Sequence, residues 1–189
     1  MSDKRAELET LALAKVQRSG LRGLSFRALA DEVGVKSSSV HYYFPEKGDL
    51  TAALLDTYSK RFMQRLQQVS DGPDALHAKL MAFVDLFEEA AANDQLCLCG
   101  MLAAELSALD DECRSLLESF FKRSEGWLAA VLKEHNAEVA SPLPPAALAA
   151  VMMSGLEGAL LLDRVLSASV HLQAQRQLVS SFVGRKRKS

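Results

Sequence analysis

The alternation of apolar and polar positions predicts helices along the whole chain. Apolar residues recur three or four positions apart, and strand-favouring residues never alternate over a sustained run. The helical pattern breaks at Ser19 and Gly20, at residues 70–74 and at residues 141–145, where Gly or Pro opposes helix continuation. After the second break, Asp74 is expected to cap the helix that follows. The pattern therefore predicts an all-α protein of about nine helices.

The spacing of the apolar residues also predicts where most of these helices begin and end. The first helix covers residues 5–19, and a long fourth helix begins at Lys47 and runs to about Val69. Further helices are predicted over residues 75–92, 97–108, 112–135, 145–166 and 170–183. Residues 185–189 form a basic tail that is expected to be disordered.

Residues 23–50 predict two short helices joined by a tight turn and followed at once by a third helix. Ser25 is placed to cap the first helix, and Gly34 can adopt a positive φ where the chain turns. In the second helix Val40, Tyr43 and Phe44 belong to an inward face, whereas the opposite face is polar. This order of elements is that of a helix-turn-helix, which places its second helix in the major groove of DNA.

The run from Gly34 through Phe44 to Lys47 and Leu50 resembles the signature of the TetR family of bacterial transcriptional regulators. It contains an aromatic cluster and a Phe-x-x-Lys-x-x-Leu junction in the order that the family shows. His41 departs from the family pattern, in which Tyr is common at this place. Both side chains can donate to a phosphate, but His does so best when it is protonated.

This resemblance implies a division of the chain into two domains and a tail. Residues 1–47 correspond to a three-helix, helix-turn-helix DNA-binding domain. A long fourth helix joins it to a helical effector-binding and dimerisation domain at 48–184, which the tail at 185–189 follows.

Charged, hydroxyl-bearing and aromatic side chains around the helix-turn-helix form the candidate DNA contacts. Phosphate contacts are expected from Arg27 and Tyr42, and the resemblance implies the same role for Ser25 and Lys47. Base-edge contacts are expected from the start of the second helix, which penetrates the major groove furthest. The full candidate set is Ser25, Arg27, Lys36, Ser37, Ser38, Ser39, His41, Tyr42, Tyr43 and Lys47.

The distribution of charge supports this assignment, although the net charge of -2 does not. Residues 1–65 contain 11 Lys and Arg against 8 Asp and Glu, whereas residues 66–184 contain 7 against 16. The basic end of the chain is therefore the end that carries the helix-turn-helix, as binding to polyanionic DNA requires.

The predicted helix at 145–166 is apolar over most of its circumference, so it must be covered on both sides. The cover is either a partner subunit or the core of the same chain. The resemblance implies a homodimer in which the last two helices of each copy form a four-helix bundle. The candidate interface residues are Met153, Leu160, Asp163, Leu178 and Phe182.

Acidic residues within apolar helices, together with nearby aromatic residues and methionines, indicate an adaptable apolar pocket for a small-molecule effector. The alternative is that these residues form ordinary core. The candidate pocket residues are Phe62, Phe83, Phe87, Cys97, Met101, Glu105, Phe120, Trp127, Met152 and Leu156.

Cys97 and Cys99 do not form a metal site on a helix, because two residues apart they point roughly 200° from one another. Cys97 at a helix start is instead a candidate thiol sensor. Residues 97–106 also resemble the corresponding helix of an electrophile- and oxidant-responsive branch of the family. The other interpretation is that both cysteines are small core residues.

We therefore predict a homodimeric repressor that a small-molecule effector releases from a palindromic DNA operator. One alternative keeps the DNA-binding role but replaces the effector with oxidation or alkylation of Cys97. Another is a helical protein-interaction module without specific DNA binding. No catalytic arrangement, metal-ligand spacing or cofactor motif is evident, so neither an enzyme nor a bound cofactor is expected. Without a signal peptide or a membrane-spanning apolar run, we expect a cytoplasmic protein with no membrane partner.

Overall fold

A computed structural model of the protein describes residues 2–184, and this part of the chain is all-α as predicted. The predicted tail at 185–189 lies outside the described residues. The described helices are α1 (Ser2–Ser19), α2 (Phe26–Val33), α3 (Ser37–Tyr43), α4 (Lys47–Ser70), α5 (Leu76–Ala92), α6 (Leu98–Ala104), α7 (Asp111–Glu134), α8 (Pro145–Leu166) and α9 (Val170–Ser181), with 3-10 turns at Leu106–Ala108 and Asn136–Glu138.

Two details of the predicted helices were wrong. The helix expected over 97–108 ends at Ala104, because Glu105 has φ -108° and ψ 25° and the chain continues as a 3-10 turn. Asp74 does not cap α5, whose N-cap residue is Ala75 and makes no side-chain cap bond. The Asp74 carboxylate instead accepts a hydrogen bond from the Lys79 ammonium at 2.7 Å.

The chain divides into two compact units. The first unit holds the residues up to Arg61 together with Gln95–Phe120. The second unit holds Phe62–Asp94 together with the residues from Phe121 onward. Segment 95–120, which was predicted to belong to the effector-binding domain, therefore packs with the helices of the predicted DNA-binding domain.

In the first unit, α1 packs against α2 and α6, and α2 packs against α3. Leu8, Ala12 and Val16 of α1 are fully buried, so they form the side of this helix that faces the core. Phe44 is also buried, and the Arg5 guanidinium lies 5.3 Å above the centre of its ring. This cation–π contact adds to the burial that fixes the end of α3 against the core.

In the second unit, α5, α8 and α9 pack against one another. Gly155 faces α9, because a Cβ atom there would lie 2.7 Å from Oε1 of the Gln175 side chain. Arg176 of α9 binds both carboxylate oxygens of Glu88 on α5, with its Nε and Nη2 atoms at 2.7 and 2.8 Å. Such bidentate pairs fix geometry as well as adding energy, and here they orient α9 on α5.

Candidate nucleic-acid interface

Local interactions determine where α2 begins and ends. Ser25 has extended backbone angles, and its hydroxyl accepts a hydrogen bond from the Ala28 amide at 3.4 Å. Gly34 ends the helix with φ 71°, and the Val35 amide then donates to the Ala30 carbonyl at 2.9 Å. The predicted cap at Ser25 and the predicted positive φ at Gly34 are both confirmed. Together they determine where α2 begins and where the chain turns toward α3.

The two faces of α3 differ as the sequence predicted. Val40 and Phe44 are buried, whereas Lys36, Ser37, Ser38, His41 and Tyr42 are exposed. Tyr42 has 71% of its surface accessible, so its ring and its hydroxyl can both be reached by a partner. The face opposite the core therefore offers ammonium, hydroxyl and aromatic groups from one short helix.

Two ring contacts order the aromatic side chains of this face. The His41 ring meets the Phe26 ring edge-on, with their centroids 5.0 Å apart, and its Nδ1 lies 3.3 Å from the Pro45 carbonyl oxygen. Tyr42 meets Tyr43 in the same T-shaped manner at 5.2 Å. These contacts limit the rotamers of His41 and Tyr42 before any DNA is bound, which lowers the entropy that binding must overcome.

The start of α4 adds a second group of polar atoms to those on the exposed face of α3. Lys47 is the first residue of the helix and is exposed. The Asp49 carboxylate accepts a hydrogen bond from the Glu46 amide at 2.7 Å, which is half of a capping box. Sequence reasoning missed Asp49, although an acidic residue at the third helix position is the usual signal. The N-terminus of α4 then presents backbone amides and a lysine, as phosphate binding requires.

All ten candidate DNA contacts lie within the first unit, on α2, α3, their caps and the start of α4. Eight are exposed, while Ser39 and Tyr43 are half-buried. Ser25 already uses its hydroxyl as the cap of α2. Their individual contacts with phosphate or base remain predictions.

The candidate effector residues fall into two groups. Cys97, Met101, Glu105 and Phe120 belong to the first unit. The second unit holds Phe62, Phe83, Phe87, Trp127, Met152 and Leu156.

In the second unit the predicted aromatic residues do cluster. Phe83 stacks on Trp127 with their centroids 5.9 Å apart, and it also contacts Phe62 at 6.0 Å and Phe87 at 5.7 Å. A cavity of about 300 Å³ in the same unit is lined by none of them; its lining residues are Arg65, Gln68, Val69, Gly72, Pro73, Ala78, Lys79 and Ala82.

In the first unit, the predicted sensor Cys97 lies beside an aromatic pair. The Tyr58 hydroxyl donates to the Cys97 sulfur at 3.5 Å, and the Tyr58 ring lies 5.8 Å from the Phe120 ring. Cys97 is only 2% exposed. For Cys113, burial and then the Asp110 carboxylate raise the thiol pKa to about 12, so it stays protonated and unreactive at neutral pH.

Glu105 requires a correction. The sequence placed it in the effector pocket, but its carboxylate accepts hydrogen bonds from the backbone amides of Leu21 and Arg22, at 3.1 and 3.2 Å. A carboxylate held by two amides of the α1–α2 turn does not face an apolar pocket.

One group of potential metal ligands occurs among the described residues. Single ligand atoms of Asp74, Glu134 and His135 lie within 4.8 Å of one another. The Lys79 ammonium already lies 2.7 Å from Asp74 Oδ1, where it would repel a metal cation.

Three of the candidate dimer residues also require correction. Met153 and Leu160 are each 2% exposed and Asp163 is 4% exposed, so they belong to the core of their own unit. The Asp163 carboxylate accepts the backbone amides of His171 and Leu172 at 2.9 Å each, which caps the start of α9. Leu178 is exposed, as predicted for an interface residue, and Phe182 is half-buried.

The exposed face of α8 consists of other residues than the predicted Met153 and Leu160. Val151, Ser154, Gly158, Leu161 and Val165 are spaced by three or four residues, and none is buried. A Cβ atom at Gly158 would meet nothing within 4 Å, which contrasts with Gly155 on the α9 side. The large apolar residues exposed on α8, α9 and the turn between them are Val151, Leu161, Leu162, Val165, Leu166, Val170 and Leu178.

By length and composition alone, α8 is apolar enough to cross a membrane, contrary to the expectation from the sequence that no segment is. Part of this helix is buried against α5 and α9, as in the core helix of a folded domain. The helix is therefore apolar both on the side that is buried and on the side that is exposed.

Known proteins are similar to this chain in both sequence and fold. The profile of bacterial regulatory proteins of the tetR family matches residues 11–54. The transcriptional regulator AcuR of Cereibacter sphaeroides is 31% identical over 166 residues, which cover 80% of this chain and 76% of AcuR. The nicotine-responsive transcriptional repressor HdnoR of Paenarthrobacter nicotinovorans is 24% identical, covering 79% and 80% of the two chains. A TetR transcriptional regulator from Legionella pneumophila superimposes with a TM-score of 0.89 at 25% identity, covering 97% and 98%.

Proposed function

The chain belongs to the tetR family of bacterial regulatory proteins, and we propose that this DNA-binding transcription regulator acts as a homodimeric repressor of a palindromic operator. A small-molecule effector would release it from that operator. One relative is named as a ligand-responsive repressor, which supports the sign of regulation proposed for this chain.

The observation that carries the DNA-binding half of the proposal is the outward face of α3. Lys36, Ser37, Ser38, His41 and Tyr42 are exposed on a helix whose other side is anchored by Val40 and Phe44. A helix with such a face can enter the major groove, while Lys47 at the start of α4 holds a phosphate.

The exposed apolar face of α8 supports the homodimer. Exposed Leu and Val residues alternate with Ser154 and Gly158, which would let a second helix approach closely. A second copy of the same face satisfies twofold symmetry, and two symmetric subunits would read two half-sites of a palindrome. Covering this face with a partner also fits a cytoplasmic protein better than membrane insertion does, and we propose that location.

Operator capture tests the DNA-binding role. Genomic fragments retained by the purified protein are sequenced, and the shared palindrome is titrated by fluorescence anisotropy at several salt concentrations. We expect a steep fall of affinity with salt, because phosphate contacts release counterions. Lys47→Ala and Tyr42→Ala should weaken binding, whereas Lys133→Ala removes the same charge outside the helix-turn-helix and serves as the control. Equal affinity for the palindrome and a scrambled duplex would favour the interaction-module alternative.

The effector is proposed to be apolar and to be bound among the aromatic residues. The stacked pair Phe83 and Trp127 and the neighbouring rings of Phe62 and Phe87 support this class of ligand. Such a ligand can release DNA only if it binds the DNA-free pose more tightly than the DNA-bound pose. Operator affinity measured with and without candidate compounds tests the mechanism, and equal affinities at saturating compound would reject that compound as the effector.

A second candidate mechanism uses Cys97 as the switch, and the hydrogen bond from Tyr58 favours it over Cys113. A change at the Cys97 sulfur would disturb Tyr58 and the start of α6 directly. Substituting Cys97→Ser should then abolish operator release by small electrophiles. Release that is unchanged in this variant would reject the thiol switch and leave effector binding as the mechanism.

A further inference from the structure

Glu105 connects α6 to the turn between α1 and α2. It follows the last residue of α6, and its carboxylate spans two consecutive amides of the turn. Oε1 accepts from Leu21 at 3.1 Å and Oε2 accepts from Arg22 at 3.2 Å. Hydrogen bonds to an ionised carboxylate are about twice as strong as neutral ones, so they attach the turn firmly to the end of α6.

Gly20 lies opposite Glu105 and leaves room for its carboxylate. Gly20 has φ 78°, a left-handed conformation that side chains rarely adopt, and a Cβ atom there would collide with Oε1 of Glu105. The carboxylate therefore occupies space that exists only because residue 20 is a glycine. The two residues form one contact rather than two independent local features.

The other end of α6 is attached to the same stretch of chain. The Gln17 side chain donates to the Leu96 carbonyl at 2.9 Å, and the Leu96 amide donates to the Gln17 carbonyl at 3.0 Å. Bonds before and after α6 thus hold residues 17–22. A displacement of α6 must either move this stretch or break these bonds.

Residues 17–22 lead directly into the helix-turn-helix. The Leu24 amide donates to the Leu21 carbonyl at 3.1 Å, and Ser25 then caps α2. The connection from the Glu105 carboxylate to the first helix of the DNA-reading motif therefore covers only a few residues. A similar close approach joins Asp110 to Gly48 at the start of α4, where an added Cβ would collide with Asp110.

We propose that Glu105 is a positioning residue for operator recognition, which fixes the α1–α2 turn on α6 and so makes the pose of the helix-turn-helix depend on α6. The inference rests on the proposed DNA-binding function and extends it, since it names the carboxylate through which a change in α6 reaches the recognition helix. Without that carboxylate the turn samples more poses, and fewer of them place α3 correctly in the groove. Apparent affinity falls in proportion to the competent fraction.

The test compares Glu105→Gln with Asp111→Asn in the full-length protein. Both substitutions remove one negative charge from the same segment, but Asp111 is exposed and lies at the start of α7. We expect Glu105→Gln to lose about tenfold in affinity for the captured operator, because an amide group would then oppose one backbone N–H. Affinity for a scrambled duplex should stay the same, since the phosphate-binding side chains are intact. Glu105→Asp should fall between wild type and Glu105→Gln.

A double-mutant cycle separates positioning from general stability. Gly20→Ala should weaken operator binding because its Cβ displaces the carboxylate, and Glu105→Ala should weaken it by removing the carboxylate. If both act through one contact, the double variant should lose less than the product of the two single losses. Independent, multiplicative losses would contradict the shared contact.

The outcomes are distinguishable. If wild type prefers the operator and Glu105→Gln binds it as tightly as Asp111→Asn does, the inference is overturned while the proposed function stands. An equal loss on the operator and on the scrambled duplex, with a matching fall in melting temperature, would also overturn it. If wild type itself does not discriminate between the duplexes, the proposed function fails first.

Discussion

The helix-turn-helix and the α8–α9 pair differ in what determines the direction of each side chain. In residues 25–47, a serine cap, a left-handed glycine and a short amphipathic helix fix the orientation through neighbours in sequence. In α8, apolar residues surround most of the helix, and only packing against α5 and α9 decides which of them are covered. A functional face can therefore be predicted from sequence where local signals set it, but not where tertiary packing sets it.

The largest effect is expected at the buried side of α8. Leu160 is 2% exposed, so Leu160→Ala should lower the free energy of unfolding by about 2–5 kcal/mol through lost burial and a residual cavity. Urea denaturation followed by circular dichroism measures the change. A loss no larger than that of an exposed alanine substitution would show that the register of α8 is different.

The adjacent residue should behave in the opposite way. Leu161 lies on the exposed face, so Leu161→Glu should leave the subunit folded but separate the proposed dimer. Operator affinity should then fall roughly 100-fold, because the second half-site no longer binds through a linked partner. Analytical ultracentrifugation and anisotropy measure both effects, and Ala130→Glu on α7 is the control. A dimer that persists in Leu161→Glu would place the interface elsewhere.

A smaller effect is expected where Asp163 caps α9. Burial opposes ionisation, but hydrogen bonds from the amides of Leu172 and His171 and from the His171 ring hold the pKa of Asp163 below its ordinary 3.8. Because the pKa is lowered on folding, this stabilisation is present above pH 3.8 and is lost as the pH falls further. Asp163→Asn should cost about 1.5–3 kcal/mol at pH 7 and reduce the acid sensitivity of unfolding. Unfolding curves from pH 7 to pH 3 that match wild type would refute the cap.

The smallest effect is expected in the turn of the helix-turn-helix. Gly34 has φ 71° and open space around its Cα, so Gly34→Ala adds only backbone strain of about 1 kcal/mol. Gly34→Asn should cost less, because Asn tolerates the left-handed region. Thermal unfolding of the two variants tests the order, and equal melting temperatures for wild type and Gly34→Ala would contradict it.

The same contrast explains how much could be predicted from the sequence. The all-α fold, the bounds of α4 and α8, and the roles of Ser25 and Gly34 followed from periodicity and caps. The register of α8 did not, so Met153 and Leu160 were assigned to an interface although the chain buries both. Apolar and small residues occur all around α8. Their spacing therefore does not show which side of the helix faces α9 and which side faces a partner.

Acidic residues within apolar helices were also misassigned, for a related reason. The sequence shows that Glu105 and Asp163 need polar partners but cannot show which ones. In the structure Glu105 accepts amides of the turn after α1, the first of them 84 positions away in sequence, whereas Asp163 accepts amides at the start of α9, the first of them 8 positions away. The partners of Glu105 in particular become visible only when the chain is folded.

A hydroxyl-radical footprint of the protein on its captured operator tests whether two copies of the chain bind DNA through the exposed face of α3. We expect two symmetric protected patches, about one helical turn or a multiple of it apart, both of which are lost with Tyr42→Ala and kept with Lys133→Ala. A single patch, or protection that Tyr42→Ala leaves unchanged, would contradict the proposal that a twofold-symmetric dimer binds DNA through the exposed face of α3.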